Sequence, residues 1–390
     1  MNKPNKREIA VFTGNRAEYG LLFPVIKELS RVSALGEPYL IISGAHLSDD
    51  FGKTIDEIDM SCVKDVKKIN LPRGGGDKQL EALQSFSRII SDGAEILMEL
   101  RPAFIVLAGD RYETFAMAIV AFYMNIPIVH LFGGDLSRGG HLDDSVRHCI
   151  TKLAHIHFTT NEDSYKRILG LGEEEWRVFN VGSTAIDNVM SGGYSTIEDL
   201  SRNFEIDLGK PIILFTQHPV TTEIDFAYAQ VKESLEALKE LGYQTIITYP
   251  CNDPGSDKII EAINEYSDTP HFFIRKNLGW KDYLGFLKIA SVVVGNSSSG
   301  IMETPVFKVG CVNIGKRQEG RLRSENVVDV GYNKSEIKKA INTAVTDKEF
   351  MEKLKTCSNP YGSGGASQKI VEVLSSISFD RDLLQKKMTF

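Results

Sequence analysis

The chain has 390 residues, 42% of them hydrophobic and 25% charged, with a formal net charge of −7 at pH 7. That length accommodates two domains of ordinary size, and the composition is that of a globular protein. The acidic balance argues against a nucleic-acid partner or an anionic membrane surface, and no apolar run reaches the length of a membrane span. The five cysteines (Cys62, Cys149, Cys251, Cys311 and Cys357) are scattered and lack the paired spacing of a zinc site or a disulfide framework. They suit a reducing compartment. Polar residues 1–7 run straight into a strand with no signal peptide visible, so a cytoplasmic location is expected.

In chain order, residues 8–14 predict a strand, 21–32 an amphipathic helix, and 38–44 a second strand ending in Ser43-Gly44-Ala45-His46. Helical spacing over 80–100 precedes a third strand at 103–107, which ends at Gly109-Asp110-Arg111. A helix over 113–124 and a strand over 127–131 follow, the latter opening into Phe132-Gly133-Gly134-Asp135. From Asp143 the run Asp-Asp-Ser-Val-Arg-His reads as an N-capped helix, and two short strands follow at 156–160 and 178–182. The polar stretch 191–210 is the expected domain boundary. Beyond it the pattern restarts with strands at 212–216, 245–249, 271–274, 291–294 and 311–314, alternating with helices over 228–241, 258–266 and 281–289. A helical segment from Ala366 is expected to pack back on the first domain. Strands alternate with helices, and polar or glycine-rich residues collect after the strands' carboxyl ends. The fold class is therefore α/β, with two Rossmann-like doubly wound domains, 1–190 and 205–365, facing one another across a cleft.

The stretch with the most specific chemistry is Gly295-Asn296-Ser297-Ser298-Ser299-Gly300. A buried strand running into small residues and a helix start near Ile301 turns backbone N–H groups outward at a positive helix end, which suits phosphate. An ordinary serine-capped turn has the same pattern. Glu303, one turn in, reaches ribose hydroxyls and favours the first reading. The motif is neither a Walker loop nor GxGxxG. The other polar residues at strand ends divide by domain. Arg16, His46, Asp110, Arg111, Glu113, His130, Asp135, Asp143, Asp144, Arg147 and His148 lie in the first, and His218, Asn252, Asp253, Glu303, Arg317 and Arg321 in the second. Carboxylates dominate one set and phosphate-binding groups the other, as a nucleoside diphosphate joined to a neutral hydroxylated group requires. Singly, each residue has a plainer role: Asp143 as a helix cap, Asp110 and Arg111 as a salt bridge, His130 and His148 as hydrogen-bonded core histidines.

With these stretches laid out, the chain resembles the hydrolysing UDP-N-acetylglucosamine 2-epimerases. The resemblance runs through Gly14-Asn15-Arg16-Ala17-Glu18-Tyr19-Gly20, Ser43-Gly44-Ala45-His46-Leu47, Gly109-Asp110-Arg111 and His130-Leu131-Phe132-Gly133-Gly134-Asp135. It continues through Asp143-Asp144-Ser145-Val146-Arg147-His148, His218-Pro219-Val220-Thr221-Thr222-Glu223, the serine turn with Glu303, and Asn359-Pro360-Tyr361-Gly362. It implies a glycosyltransferase-B-like fold, a homodimer, and no metal or cofactor. Catalytic carboxylates fall on Asp110 and Asp143. The family's third acid, in its His-x-Glu-Gly-Gly form, falls on Phe132, so Asp135, just after the glycine pair, stands in for it. His218, Arg16, Ser297, Ser298, Ser299, Gly300, Arg321 and Asn252 take the nucleotide's phosphate side, and Glu303 its ribose. His46, Arg111, His130 and Arg147 line the sugar. Cys251 replaces an asparagine near the base.

The implied reaction is anti elimination of the nucleotide from UDP-N-acetylglucosamine to a glycal, followed by water addition to give N-acetylmannosamine, for sialic-acid-type sugars. UDP-N,N'-diacetylbacillosamine and GDP-N-acetylglucosamine are alternative substrates. A non-hydrolysing epimerase, a glycosyltransferase of the same architecture and a nucleotide-sugar sensor are the other readings.

Overall fold

The computed structural model describes residues 8–48, 54–72, 78–137, 141–251 and 253–390. The chain divides into two compact units. One comprises Met1–Asp135, Asp143–Asn188 and Gly364–Phe390, the other Leu136–Leu142 and Val189–Ser363.

The first unit is built on a seven-stranded parallel sheet of β1 (Ile9–Thr13), β2 (Tyr39–Ile42), β3 (Asp65–Lys68), β4 (Phe104–Ala108), β5 (Ile128–Leu131), β6 (Ile156–Thr159) and β7 (Val178–Asn180). Their spatial order is β3-β2-β1-β4-β5-β6-β7. The central runs, IAVFT and FIVLA, are buried throughout, as expected where helices cover both faces of a parallel sheet. β3 is the exception. Its sequence DVKK has no apolar signature because it is an edge strand in contact with solvent, where charge discourages further pairing.

The helix expected over 21–32 begins five residues earlier, as Arg16–Arg31, with Asn15 accepting the Glu18 N–H as N-cap. Pro24 lies inside it and cannot donate to the Gly20 carbonyl. Asn188 donates to that carbonyl instead, and Thr184 Oγ1 donates to Leu21 O at 2.6 Å. The cost of an internal proline is thus offset by two side chains of the helix Thr184–Ser191.

The second unit carries a six-stranded parallel sheet of β8 (Ile212–Thr216), β9 (Gln244–Thr248), β10 (Phe272–Arg275), β11 (Val292–Gly295), β12 (Gly310–Ile314) and β13 (Val327–Val330), ordered β10-β9-β8-β11-β12-β13. The stretch 191–210 is not a structureless linker. It contains the helix Ile197–Phe204, capped by Thr196, whose Leu200 and Phe204 join the core around Phe286. With two apolar anchors among polar residues, this short helix looks like a loop by composition.

The segment from Gly364 belongs to the first unit. Its helix Ala366–Ser376 packs on Arg16–Arg31, and Asp187 accepts the N–H groups of Ala366 and Ser367 at 3.1 and 2.7 Å. Beyond it, Phe379 stacks on Phe104 with centroids 4.2 Å apart, and buried Arg177 donates to the carbonyls of Leu383 and Gln385. Lys386 reaches the buried carboxylate of Glu173 at 2.8 Å. Burial works against the charge on Glu173, but hydrogen bonds from His157, Lys152 and Lys386 outweigh it and hold the carboxyl down at about 2.

Candidate active site

In each sheet the chain winds outward one way and then restarts on the other side of its first strand. The reversal lies between β1 and β4 in the first unit and between β8 and β11 in the second. Open α/β sheets bind ligands at the carboxyl ends of such strand pairs, because the connections diverge there and leave a crevice. The residues after these four strands are Gly14-Asn15, Gly109-Asp110, Gln217-His218 and Asn296-Ser297. All but Gln217 are motif residues picked out in the sequence.

In the first unit the organising group is Arg147, 2% exposed. It sits on the helix His141–Leu153, which starts two residues before Asp143. Asp143 is therefore a first-turn residue and not the N-cap expected. Arg147 Nη2 pairs with the carboxylate of Asp110, and Nη1 donates to Asp144 Oδ1 and to the Asp135 carbonyl, both at 2.6 Å. Asp143 and Asp144 lie four and three residues before Arg147, on the same helix face. One buried guanidinium thus ties together the β4 end, the β5 loop and the first turn of this helix. Asp110 and Asp144 keep 23% and 17% of their side chains accessible. Asp144, three residues before Arg147, is the partner that this spacing on a helix selects.

Asp135 is held one-sidedly. Its Oδ1 accepts from Thr160 Oγ1 and Ser164 Oγ at 2.7 Å each, while Oδ2 accepts from none of the described residues. The preceding Phe132 has φ +66, a left-handed conformation costly for a bulky side chain. Strain of this kind collects at functional loops, and Phe132 bears it at the place where the resemblance puts an acid.

His46 and His130 do not line a surface as expected. Both are fully buried, with both ring nitrogens engaged. His46 bonds Thr13 and Thr54, and His130 donates from Nε2 to Gly109 O at 2.8 Å and meets Thr151 through Nδ1. Burial lowers their pKa values to about 4 and about 3, so both are neutral braces beneath the strand ends. Arg111 lies 3.7 Å from buried Glu113. Glu18, absent from the sequence reading as a chemical group, accepts the Gly14 N–H at 2.7 Å and the Thr114 hydroxyl at 3.0 Å. Burial, and then the neighbouring Glu113, push its carboxyl up to about 7. Arg16 opens its helix, and its side chain lies outside the described set.

In the second unit Asn296 joins the two strand ends. Its Oδ1 accepts from His218 N–H at 2.6 Å, its Nδ2 donates to His218 O, and its carbonyl accepts from Gln318 and Arg317. His218 Nδ1 accepts the Cys251 N–H at 3.2 Å, which leaves Nε2 as the nitrogen that carries the proton in the neutral ring. Gly295 has φ +125, and a Cβ there would lie 2.0 Å from Thr216 O. The two strands meet there closely enough to admit only glycine. The serine turn leads into a single helical turn, Ser299–Met302, and not the longer helix expected. Pro305 has no N–H for Ile301, and the Thr304 hydroxyl takes the Gly300 carbonyl at 2.6 Å. With only one helical turn here, the donor groups of this segment are local amides and hydroxyls more than a helix dipole. Arg321 donates to the Leu136 carbonyl at 3.3 Å and lies 3.4 Å from Met302 Sδ. Asn252 lies outside the described residues.

Half-buried Glu303 is pushed up to about 7 by burial. A raised folded-state value means that the native chain holds this proton more tightly than the unfolded chain. The associated stability is full below about 4.5 and is lost as pH rises through about 7. Glu303→Gln is expected to make the fall in Tm from pH 5 to pH 8 shallower, in a thermal-denaturation series. An unchanged slope would contradict the assignment. Among the described residues no group of three or more His, Cys, Asp or Glu could hold a metal ion.

The sequence profile of the UDP-N-acetylglucosamine 2-epimerase family matches residues 28–375. The chain is 39% identical over 332 residues to the GDP/UDP-N,N'-diacetylbacillosamine 2-epimerase (hydrolyzing) of Campylobacter jejuni, covering 84% of this chain and 85% of that one. It is 34% identical over 382 residues to the UDP-N,N'-diacetylbacillosamine 2-epimerase (hydrolyzing) of Legionella pneumophila, covering 97% and 98%. In fold it is similar to the UDP-GlcNAc 2-epimerase of Neisseria meningitidis, solved with UDP-GlcNAc bound, at a TM-score of 0.82 and 21% identity over 95% of this chain and 100% of that one. Two parallel-sheet α/β units of glycosyltransferase-B-like type and a family profile spanning most of the sequence lead to one conclusion: the chain belongs to the UDP-N-acetylglucosamine 2-epimerase family.

Proposed function

We propose that this enzyme hydrolyses a nucleoside-diphosphate-linked 2-acetamido sugar while inverting C2, releasing the free 2-epimer and the nucleotide. UDP-N,N'-diacetylbacillosamine is the favoured substrate. The two relatives of 39% and 34% identity are both named for that sugar, which moves it ahead of the UDP-N-acetylglucosamine that the sequence motifs alone put first. UDP-N-acetylglucosamine, carried by the family name and by the Neisseria meningitidis structure, is the second reading. The enzyme works as a cytoplasmic homodimer without metal or cofactor, supplying the precursor of a sialic-acid-type sugar.

The observation that carries the reading is the set of carboxylates around Arg147 at the reversal of the first sheet, matched by the serine turn and His218 at the reversal of the second. C1–O cleavage leaves negative charge on the departing diphosphate. In the second unit, His218, Arg321 and the donors of residues 297–300 meet that charge with preorganised hydrogen bonds. As the C1–O bond breaks, positive character at C1 acidifies the C2 proton, and a carboxylate suffices to remove it. A second carboxyl group delivers water to the resulting glycal. Asp110 and Asp143 share this acid–base work, with Asp135, anchored through one oxygen only, as the third carboxylate. Arg147 and Arg111 hold the carboxylates and the sugar in place.

Incubation with UDP-N,N'-diacetylbacillosamine in D₂O, followed by NMR, is expected to yield free 2-epimer deuterated at C2 together with UDP. A product still joined to UDP would point to a non-hydrolysing epimerase. Tight binding without turnover would point to a sensor.

A further inference from the structure

We propose that Tyr283 is a positioning residue for the leaving diphosphate, acting through a chain of hydroxyls, Tyr283–Ser299–Ser297, that fixes the direction in which the serine turn donates. The inference rests on the sugar-nucleotide reading above and names a residue outside every motif considered so far.

Tyr283 lies on the helix Gly279–Ile289 of the second unit. Its hydroxyl bonds Ser299 Oγ, and Ser299 Oγ lies 3.0 Å from Ser297 Oγ. Tyr283 is partly buried, packed against the core around Phe286. Ser299 is buried at 9% exposure, whereas Ser297 is only partly buried. Burial, and then the charge of Glu303, push the phenol up to about 12, so it keeps its proton over the working range.

Each of these hydroxyls has one proton to donate. In isolation the chain can run either way, with Ser297 donating inward or Tyr283 donating outward. An anion at Ser297 accepts only. It takes the Ser297 proton, so Ser297 must accept from Ser299, and Ser299 must accept from Tyr283. The phenol is thus the terminal donor that makes the outward polarity the complete one. Hydrogen bonds aligned in one direction also polarise and strengthen one another. Phenylalanine at 283 keeps the ring and removes the proton source. Ser299 then has no donor behind it, and Ser297 is free to turn inward.

The test uses the full chain with Tyr283→Phe. UDP affinity is measured by calorimetry and uridine affinity by ligand-observed NMR, with GDP and guanosine as the matching pair. Tyr283→Phe is expected to weaken diphosphate binding about 10-fold, the order of one hydrogen bond to a charged group, and to leave nucleoside binding unchanged. Ser297→Ala should give a similar loss, and the double variant no more than either single one, since the residues act in one chain. Equal losses for UDP and uridine, or additive losses in the double variant, would overturn the proposal. So would a Tyr283→Phe chain that binds UDP like the native one. If the native chain binds neither UDP nor GDP, the sugar-nucleotide reading fails first and takes this inference with it.

Discussion

Asp110→Asn is expected to lower kcat by about 10²–10⁴, the range of a lost general acid or base, while UDP binds nearly as well as before. Asparagine is almost isosteric and still accepts a hydrogen bond from Arg147, so the tie from the β4 end to the helix His141–Leu153 is weakened but kept. What disappears is the ability to carry a proton. Asp143→Asn is expected to lower turnover alike, with a small loss of stability, because Asp143 is half-buried in the first turn, where a carboxylate favours the positive helix end. Single-turnover kinetics, UDP calorimetry and a melting curve on each variant separate chemistry from binding and folding. Wild-type turnover in either variant removes that residue from the mechanism. Asp135→Asn distinguishes two roles by the same measurements. Lost turnover with an unchanged Tm marks a catalyst, and a lowered Tm marks a brace for Thr160 and Ser164.

Gly295→Ala is expected to be the most damaging single change in the second unit. The new methyl would sit 2.0 Å from the Thr216 carbonyl oxygen, and φ +125 is outside the range that L-residues adopt readily. Strained dihedrals cost about 1–3 kcal/mol and overpacking about as much again. The sum of about 2–6 kcal/mol corresponds to roughly 5–20 °C in Tm for a unit of this size. β8 and β11 would have to separate at the point where Asn296 bonds His218, so nucleotide affinity should fall with stability. Gly20→Ala is the control. Nothing lies within 4 Å of its Cβ position, and it sits in a helix, where alanine is favoured by about 1 kcal/mol. A Gly295→Ala chain as stable and as tight for UDP as the native one would refute this account of the turn.

These two cases show how much of the molecule is written in its sequence. The buried parallel strands were legible because burial on both faces demands unbroken apolar runs, and β8 falls where expected to the residue. The residues after the strands were legible because a carboxyl-end crevice needs small, polar and charged groups together. Two of the four edge strands were not. Asp65–Lys68 and Val327–Val330 carry no continuous apolar run, since one side of each faces water. The placement of side chains was legible only in part. His46 and His130 look like site residues by position, and only the packing reveals that threonines and a carbonyl occupy both faces of each ring. The Tyr283 hydroxyl chain leaves no mark at all, because the tyrosine and the serines meet through tertiary packing across sixteen positions.

The return of residues 364–390 to the first unit has a consequence for synthesis. As the chain leaves the ribosome, the first sheet is complete by Asn180, yet Phe104 has no Phe379 to stack on and Glu173 no Lys386. Nearly two hundred further residues must be translated before those partners exist, and the whole of the second sheet is made in the meantime. The second unit can therefore reach its final form first, while the older half waits unfinished for its closing segment.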